Sequence, residues 1–392
     1  MEFSKRVQKI SPSATLAVSN EAKKMQAKGI DVVNLSTGEP DFTTPQNIVE
    51  AAIKSATSGK ASYYTPVTGL PELKQAIVKH VKKDTGRDIL ESQVAVTVGA
   101  KMGLYETFQA LLNPGDEVLI AAPFWVSYEE QIKLAGGSVV KIMPQAADLK
   151  TNPQELSQHK TDKTKILVLN SPQNPAGIVY NRDELEAIAQ WAVDNHVILL
   201  SDEIYGKLTY NGATFTSVME FSDEIVKNTI LIDGISKAYA MTGWRIGYVV
   251  AQPEIIAKIA AIQGHMTSNP AAIAQFAAIE ALNGPQDTVE VMRQAFESRL
   301  NKTFDEVSKV PGFSFTNKPT GAFYLFPNVT GAMQKKGYKT SVDFAMALLK
   351  EAHVAVVAGE AFGMPGHIRM SYATSQELLD KAVQRISEFM QK

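Results

Sequence analysis

Seven short apolar runs recur through the middle of the chain: Val94–Val98, Glu117–Ala121, Ser138–Ile142, Lys165–Asn170, Val197–Ser201, Thr229–Ile232 and Tyr248–Ala251. Most are continuous rather than alternating, the pattern of strands buried on both faces. Helical patterns lie between several of them. Arg182–Asn195 places Leu185, Ile188, Ala189 and Ala192 on one stripe, with Asn181 as a helix cap. Strands alternating with helices predict an α/β fold, with a mostly parallel seven-stranded sheet sandwiched by helices. This large domain is expected over residues 45–285.

The texture changes after the Asn283-Gly284-Pro285 breaker. A long helix over Asp287–Val307 leads to strand candidates at Gly321–Phe326, Val354–Ala358 and His367–Ser371, and a final helix at Ser375–Met390. Residues 286–392 together with 1–44 are expected to form a smaller α+β domain.

Composition narrows the chemistry. The 392 residues carry 39 Lys and Arg against 41 Asp and Glu. No basic excess points to nucleic acid or an anionic membrane as partner. There is no cysteine, which removes disulfides and thiolate chemistry, and the six histidines show no metal-binding spacing. No metal is expected. The start, Met1-Glu2-Phe3-Ser4-Lys5-Arg6, lacks the apolar core of a signal peptide, and no apolar run reaches the ~20 residues of a membrane helix. The expected location is the cytoplasm.

The residues that follow the strands carry the chemistry. Gly99-Ala100-Lys101 opens a helix after the first strand, where exposed backbone N–H groups suit a phosphate. Trp125, after the second, can stack on a flat ring. Asn174, in Asn170-Ser171-Pro172-Gln173-Asn174-Pro175-Ala176-Gly177, offers an amide to a ring hydroxyl or a carboxylate. Asp202 is expected just past a buried strand, where a carboxylate needs a partner such as a pyridinium nitrogen. Tyr205 is one turn further on, within reach of a ring hydroxyl. Lys237, in Gly234-Ile235-Ser236-Lys237-Ala238-Tyr239, follows the Thr229–Ile235 run. Partial burial there makes an amine nucleophilic enough for a Schiff base with a carbonyl cofactor. Arg245, in Gly243-Trp244-Arg245, is a natural phosphate fork. Each alone also fits a turn, cap, core or surface role; together they converge on one sheet edge, where α/β proteins place ligands.

At these residues the chain resembles the fold-type I pyridoxal phosphate enzymes, and within them the 1b subgroup of class I aminotransferases that holds bacterial aspartate aminotransferases. The resemblance runs nearly end to end. Pro12-Ser13-Ala14-Thr15-Leu16-Ala17-Val18 and Gly38-Glu39-Pro40-Asp41-Phe42 are similar to N-terminal signatures of the family. It implies pyridoxal 5'-phosphate held by Lys237, with Gly99, Ala100, Lys101, Trp125, Asn174, Asp202, Tyr205, Ser236 and Arg245 around it. Tyr64 resembles the tyrosine that reaches the neighbouring subunit's cofactor phosphate, so a homodimer with shared active sites is implied. Gly38, Trp125, Asn174 and Arg369 resemble substrate contacts, Arg369 clamping the α-carboxylate. Lys101, helped by Ser13 and Thr15, resembles the group that meets a distal carboxylate. The one main departure is Ala176, where the family turn has threonine.

The activity this implies is ping-pong transfer of the amino group of L-aspartate to 2-oxoglutarate, giving oxaloacetate and L-glutamate. Its partners are then small amino acids and 2-oxo acids. Three other readings remain beside it: an aromatic or prephenate aminotransferase, a C–S lyase on the same scaffold, and a non-catalytic regulator. The last usually carries an added DNA-binding segment, and none is visible. A nicotinamide dehydrogenase is disfavoured, since no strand is followed by GxGxxG.

Overall fold

The computed structural model describes residues 2–392; Met1, part of the N-terminal stretch read above, lies outside them. A short strand, β1 (Val33–Asn34), comes first. The seven strands of the central sheet follow: β2 (Val94–Thr97), β3 (Glu117–Ala121), β4 (Ser138–Ile142), β5 (Thr164–Asn170), β6 (Ile198–Asp202), β7 (Thr229–Gly234) and β8 (Gly247–Val250). They lie in the order β2-β8-β7-β6-β5-β3-β4. Neighbours from β7 through β4 pair in parallel, whereas β8 runs antiparallel to both β7 and β2.

The unbroken apolar runs have a direct cause. On β3 and β5, Val118, Ile120, Ile166 and Val168 enter the core on one face of the sheet. Leu119, Leu167 and Leu169 enter a second core on the other. Successive side chains point to opposite faces, so a sheet covered on both sides needs an apolar residue at every position. The helix expected after β5 spans Arg182–Asp194. Asn181 Oδ1 accepts from the Glu184 N–H at 2.9 Å, and Glu184 Oε2 accepts from the Asn181 N–H at 2.8 Å. This reciprocal cap satisfies two otherwise unpaired donors.

One sheet boundary differs from expectation in a way that matters. The Val197 N–H bonds Ala192 O and closes the preceding helix, so β6 starts at Ile198. Asp202 is therefore the last residue of the strand, aligned with Asn170 and Ile232, rather than a residue beyond it.

The C-terminal strands are shorter than their apolar runs. Gly321–Phe326 contributes only β9 (Tyr324–Leu325), because Gly321 instead bonds Gly177 O and bridges Thr209. Val354–Ala358 is two strands, not one. β10 (Val354–Ala355) pairs in parallel with β1, and β11 (Val357–Ala358) pairs antiparallel with β12 (Ile368–Ser371), which also pairs with β9. The long helix Asp287–Val307 and the last helix, Gln376–Gln391, cover these small sheets. Val33 and Leu35 share one core with Phe296, Leu300, Val354, Ile368 and Phe389, so the N-terminal segment packs with C-terminal elements. Among the described residues no helix is long and apolar enough to cross a membrane.

Candidate active site

A cavity of about 390 Å³ opens over the C-terminal edge of the central sheet. Its lining brings together most of the residues singled out from the sequence: Gly38, Ala100, Lys101, Trp125, Asn174, Asp202, Tyr205, Ser236, Lys237, Arg245 and Arg369. Gly99 lies directly behind the wall, with the Arg245 guanidinium packed against it.

Lys237 sits three residues past β7, and its Nζ donates to Gly38 O at 2.6 Å. The Tyr205 and Phe323 rings flank the amine at 5.8 and 5.7 Å. Burial, with Arg369 close by, lowers the amine's pKa to about 8, and the Glu39 carboxylate opposes the shift. An amine of that pKa keeps a minor but usable neutral fraction near physiological pH, far more than an ordinary lysine, and the neutral form is the one that acts as nucleophile or base.

Asp202 is 4% exposed. Burial lifts its carboxyl to about 6, against the pull of two donors. The Tyr128 hydroxyl donates to Oδ2 at 2.7 Å, and the Ile204 N–H to Oδ1 at 3.3 Å. A buried carboxylate whose direct donors are neutral gains strongly from a cationic partner across the cavity. Asn170 Nδ2 donates to Asp202 O, and Asn170 Oδ1 accepts from the Asn174 N–H, both at 2.8 Å. One amide thus fixes both the strand end and the turn carrying Asn174.

Arg369 arrives from the middle of β12 and is 2% exposed. Nη1 donates to Asn174 Oδ1 at 3.0 Å and Nη2 to Ser36 O at 2.7 Å, while buried Nε has no partner. The guanidinium lies 4.5 Å from the Tyr324 ring centroid and 5.1 Å from that of Phe362. An arginine held in this way, with an unused buried donor, is prepared for an anion.

The phosphate end is built by backbone. Gly99 has φ 77° and caps the helix Ala100–Leu111. A side chain there would strike the Arg245 guanidinium as well as strain the backbone. Of the first-turn N–H groups that follow, Met102 bonds Gly99 O at 3.0 Å, which leaves those of Ala100 and Lys101 for an anion. Arg245 is exposed, and its Nη1 donates to Thr242 O at 2.7 Å.

Four predicted residues lie at the cavity's margin or away from it. Lys101 borders both this cavity and a neighbouring cleft, its Nζ 4.8 Å from the Trp125 ring centroid, and burial lowers its pKa. Thr15 lines the cavity, but Ser13 lines only the neighbouring cleft, bound to the Thr15 hydroxyl at 2.9 Å. Tyr64 is 92% exposed and is not brought to the cavity of its own chain.

The sequence reading passed over Tyr128, Asn170, Ser36 and Tyr324. Tyr324 OH bonds Tyr205 OH at 2.8 Å, and a Cβ at Gly38 would lie 2.6 Å from that Tyr324 oxygen. Asn170, a polar residue ending an apolar strand, carried a usable signal; the other three carried none.

A mostly parallel sheet that presents a carboxylate and a lysine at one edge, faced across the cavity by an arginine clamp from β12, defines an enzyme built for amine and carboxylate chemistry. The chain belongs to the aminotransferase class I and II family, whose family model matches residues 30–386. It is 51% identical to the asparagine–oxo-acid transaminase of Streptococcus mutans over 392 residues, 100% of each chain. It is 49% identical over 392 residues to the aspartate aminotransferase of Geobacillus stearothermophilus, covering 100% of this chain and 99% of that one. Among solved structures, the Thermus thermophilus aspartate aminotransferase with maleate is similar at a TM-score of 0.93 and 39% identity, covering 99% of each chain.

Proposed function

We propose that this chain is a pyridoxal-phosphate-dependent aminotransferase that moves the amino group of L-aspartate to 2-oxoglutarate. The observation that carries the reading is the Lys237 amine, seated on Gly38 O in one cavity with Asp202 and the Arg369–Asn174 pair. The residues present fit the cofactor. Asp202 is a buried carboxylate facing a cavity with only neutral donors on it, the partner a ring nitrogen needs. Gly99 and Arg245 form a cradle that any side chain at Gly99 would fill.

Lys237 would hold the cofactor's aldehyde carbon, Tyr205 and Asn174 its ring hydroxyl, and Trp125 a ring face. The helix start at Gly99, Ala100 and Lys101, with Ser236 and Arg245, would hold its phosphate. When bound, the cofactor supplies a carbonyl for the amino group and a sink for the electron pair left at Cα. Arg369 binds the α-carboxylate and fixes which Cα bond faces the ring, with Gly38 at its side. The Lys237 amine would take the Cα proton onto Nζ and return it. Lys101 and Thr15 meet the distal group, with Ser13 acting through its bond to Thr15.

A second reading has its own support. Lys101 only donates, but the Ser13 and Thr15 hydroxyls can each donate or accept. That pair suits a distal amide as well as a carboxylate, so asparagine is a candidate donor. A homodimer belongs to the same proposal, since Tyr64 stands exposed and away from its own cavity. So do a cytoplasmic location and two working units, residues 45–285 and 1–44 with 286–392.

The deciding experiment loads the protein with pyridoxal phosphate and follows its absorbance. Aspartate, asparagine, phenylalanine and alanine are added separately. Bleaching by aspartate, reversed by 2-oxoglutarate, is expected. Ammonia and pyruvate released without an acceptor from an added amino acid with a Cβ–S bond, such as cystathionine, would replace the proposal with a lyase, and no bleaching by any amino acid would remove it.

A further inference from the structure

Residues 38–44 are stitched to the loop that carries Lys237 and Arg245. Lys237 Nζ donates to Gly38 O at 2.6 Å, and Thr242 Oγ1 donates to Glu39 Oε2 at 3.0 Å. Thr44 Oγ1 donates to Ala240 O at 2.8 Å and accepts from Trp244 Nε1 at 2.9 Å. Of these partners on the 38–44 segment, Glu39 alone is charged. It lines the same cavity as Lys237, one residue along from the carbonyl on which the amine rests.

The surroundings of that amine are unbalanced. Arg369, Arg245 and Lys101 present three cations to it, from β12, from the loop before β8 and from the helix start. Asp202, at the end of β6 and hydrogen-bonded by Tyr128, faces the amine from within the same cavity as a second acidic group. Among the leading influences on Lys237, Glu39 is the one that favours the ammonium.

We propose that Glu39, held by Thr242, is a positioning residue for Lys237. Its carboxylate keeps the amine seated on Gly38 O and offsets the cations that line the cavity. The inference rests on the aminotransferase reading, because there Lys237 must alternate between a bonded and a free amine. When free, it needs a fixed seat near the substrate Cα. Remove the Glu39 charge, and the amine gives up its proton at lower pH and leaves Gly38 O more readily.

The test measures Lys237 itself. Full-length protein, with and without pyridoxamine 5'-phosphate, is reductively methylated across pH 6–10, and the Lys237 peptide is quantified by mass spectrometry. Glu39→Gln keeps an acceptor for Thr242 but removes the charge. It is expected to label roughly two- to fivefold faster at pH 7, about fivefold being the change that a drop of about one unit from about 8 produces there. Glu39→Asp restores most of the normal profile. Thr242→Val shifts the profile in the same direction by less, and adds nothing on top of Glu39→Gln. An unchanged profile in Glu39→Gln, or additive shifts in the double variant, overturns the proposal. Borohydride reduction of protein loaded with pyridoxal phosphate separately tests whether Lys237 bonds the cofactor, so a failure of the broader reading is seen on its own.

Discussion

Asp202 and Glu106 are both buried carboxyls, and burial raises both above their ordinary range, to about 6 and about 8. Their surroundings differ in kind. Asp202 ends a strand, takes hydrogen bonds from Tyr128 and Ile204, and faces a cavity with Lys237 and Arg369 nearby. Glu106 lies within the helix Ala100–Leu111, wholly buried, with no hydrogen-bond partner for either oxygen. Burial alone therefore marks no site. A raised acid becomes chemically useful where donors hold its geometry and an open space admits the partner it lacks. Glu106 has neither, and it remains a neutral acid at the expense of stability.

Lys237→Ala is the sharpest way to break the functional side of that comparison. In the proposed mechanism it removes the nucleophile and the proton carrier together, so turnover should fall by at least about 10⁴-fold. Circular dichroism should be unchanged, because Lys237 makes one hydrogen bond to a loop carbonyl. Near-normal transamination by this variant would end the assignment. Asp202→Asn follows. The Tyr128 hydroxyl can still donate to the amide oxygen, so the fold holds, but the charge proposed to answer a ring nitrogen is gone. Taking one partner from a buried pair is worth roughly 3–4 kcal/mol, which corresponds to about 10²–10³ in kcat. A variant with full kcat would place Asp202 with Glu106, as an acid merely buried.

Most of the central sheet was legible because two faces must be filled: continuous apolar runs such as Lys165–Asn170 left little choice of element. The residues that share the candidate cavity were legible where each ends or follows such a run, as with Asp202, Asn174 and Lys237. The supporting residues were not. Tyr128 meets Asp202 across 74 positions of chain, and Tyr324 meets Tyr205 across 119, with no local pattern to couple them. Two-residue ladders such as β1 with β10 are too short for any periodicity to register. The run Val354–Ala358 read as one strand because nothing in it signals that Val354–Ala355 and Val357–Ala358 serve different sheets.

Lys101→Ala tests how far the cavity's charge selects its substrate. With Lys101 near the Trp125 ring at the cavity's edge, its loss removes a cation but little packing. kcat/KM for aspartate is expected to fall roughly 10- to 100-fold, in line with one charge-assisted hydrogen bond of about 1.5–3 kcal/mol. The value for phenylalanine should change little. Asparagine should fall between them if the Ser13–Thr15 hydroxyls carry part of the distal contact. Equal losses for aspartate and phenylalanine would take Lys101 out of the distal role.

Glu106→Gln touches the other half of the comparison, and its effect on turnover should be the smallest of all. Folding raises the carboxyl from an ordinary 4.5 to about 8. Below pH 4.5 the acid is neutral in both folded and unfolded chains and costs nothing by ionisation. Between there and pH 8 only the unfolded chain ionises, so folding stability falls as pH rises, by up to about 1.4 kcal/mol per unit. Above pH 8 both states are ionised and the loss levels off. The glutamine variant lacks this dependence. Its urea midpoint should therefore gain on that of the parent chain between pH 5 and pH 8, by roughly 1–3 kcal/mol once converted. A gap that stays constant with pH would show that Glu106 finds a partner in solution, and that the two buried acids differ less than their surroundings indicate.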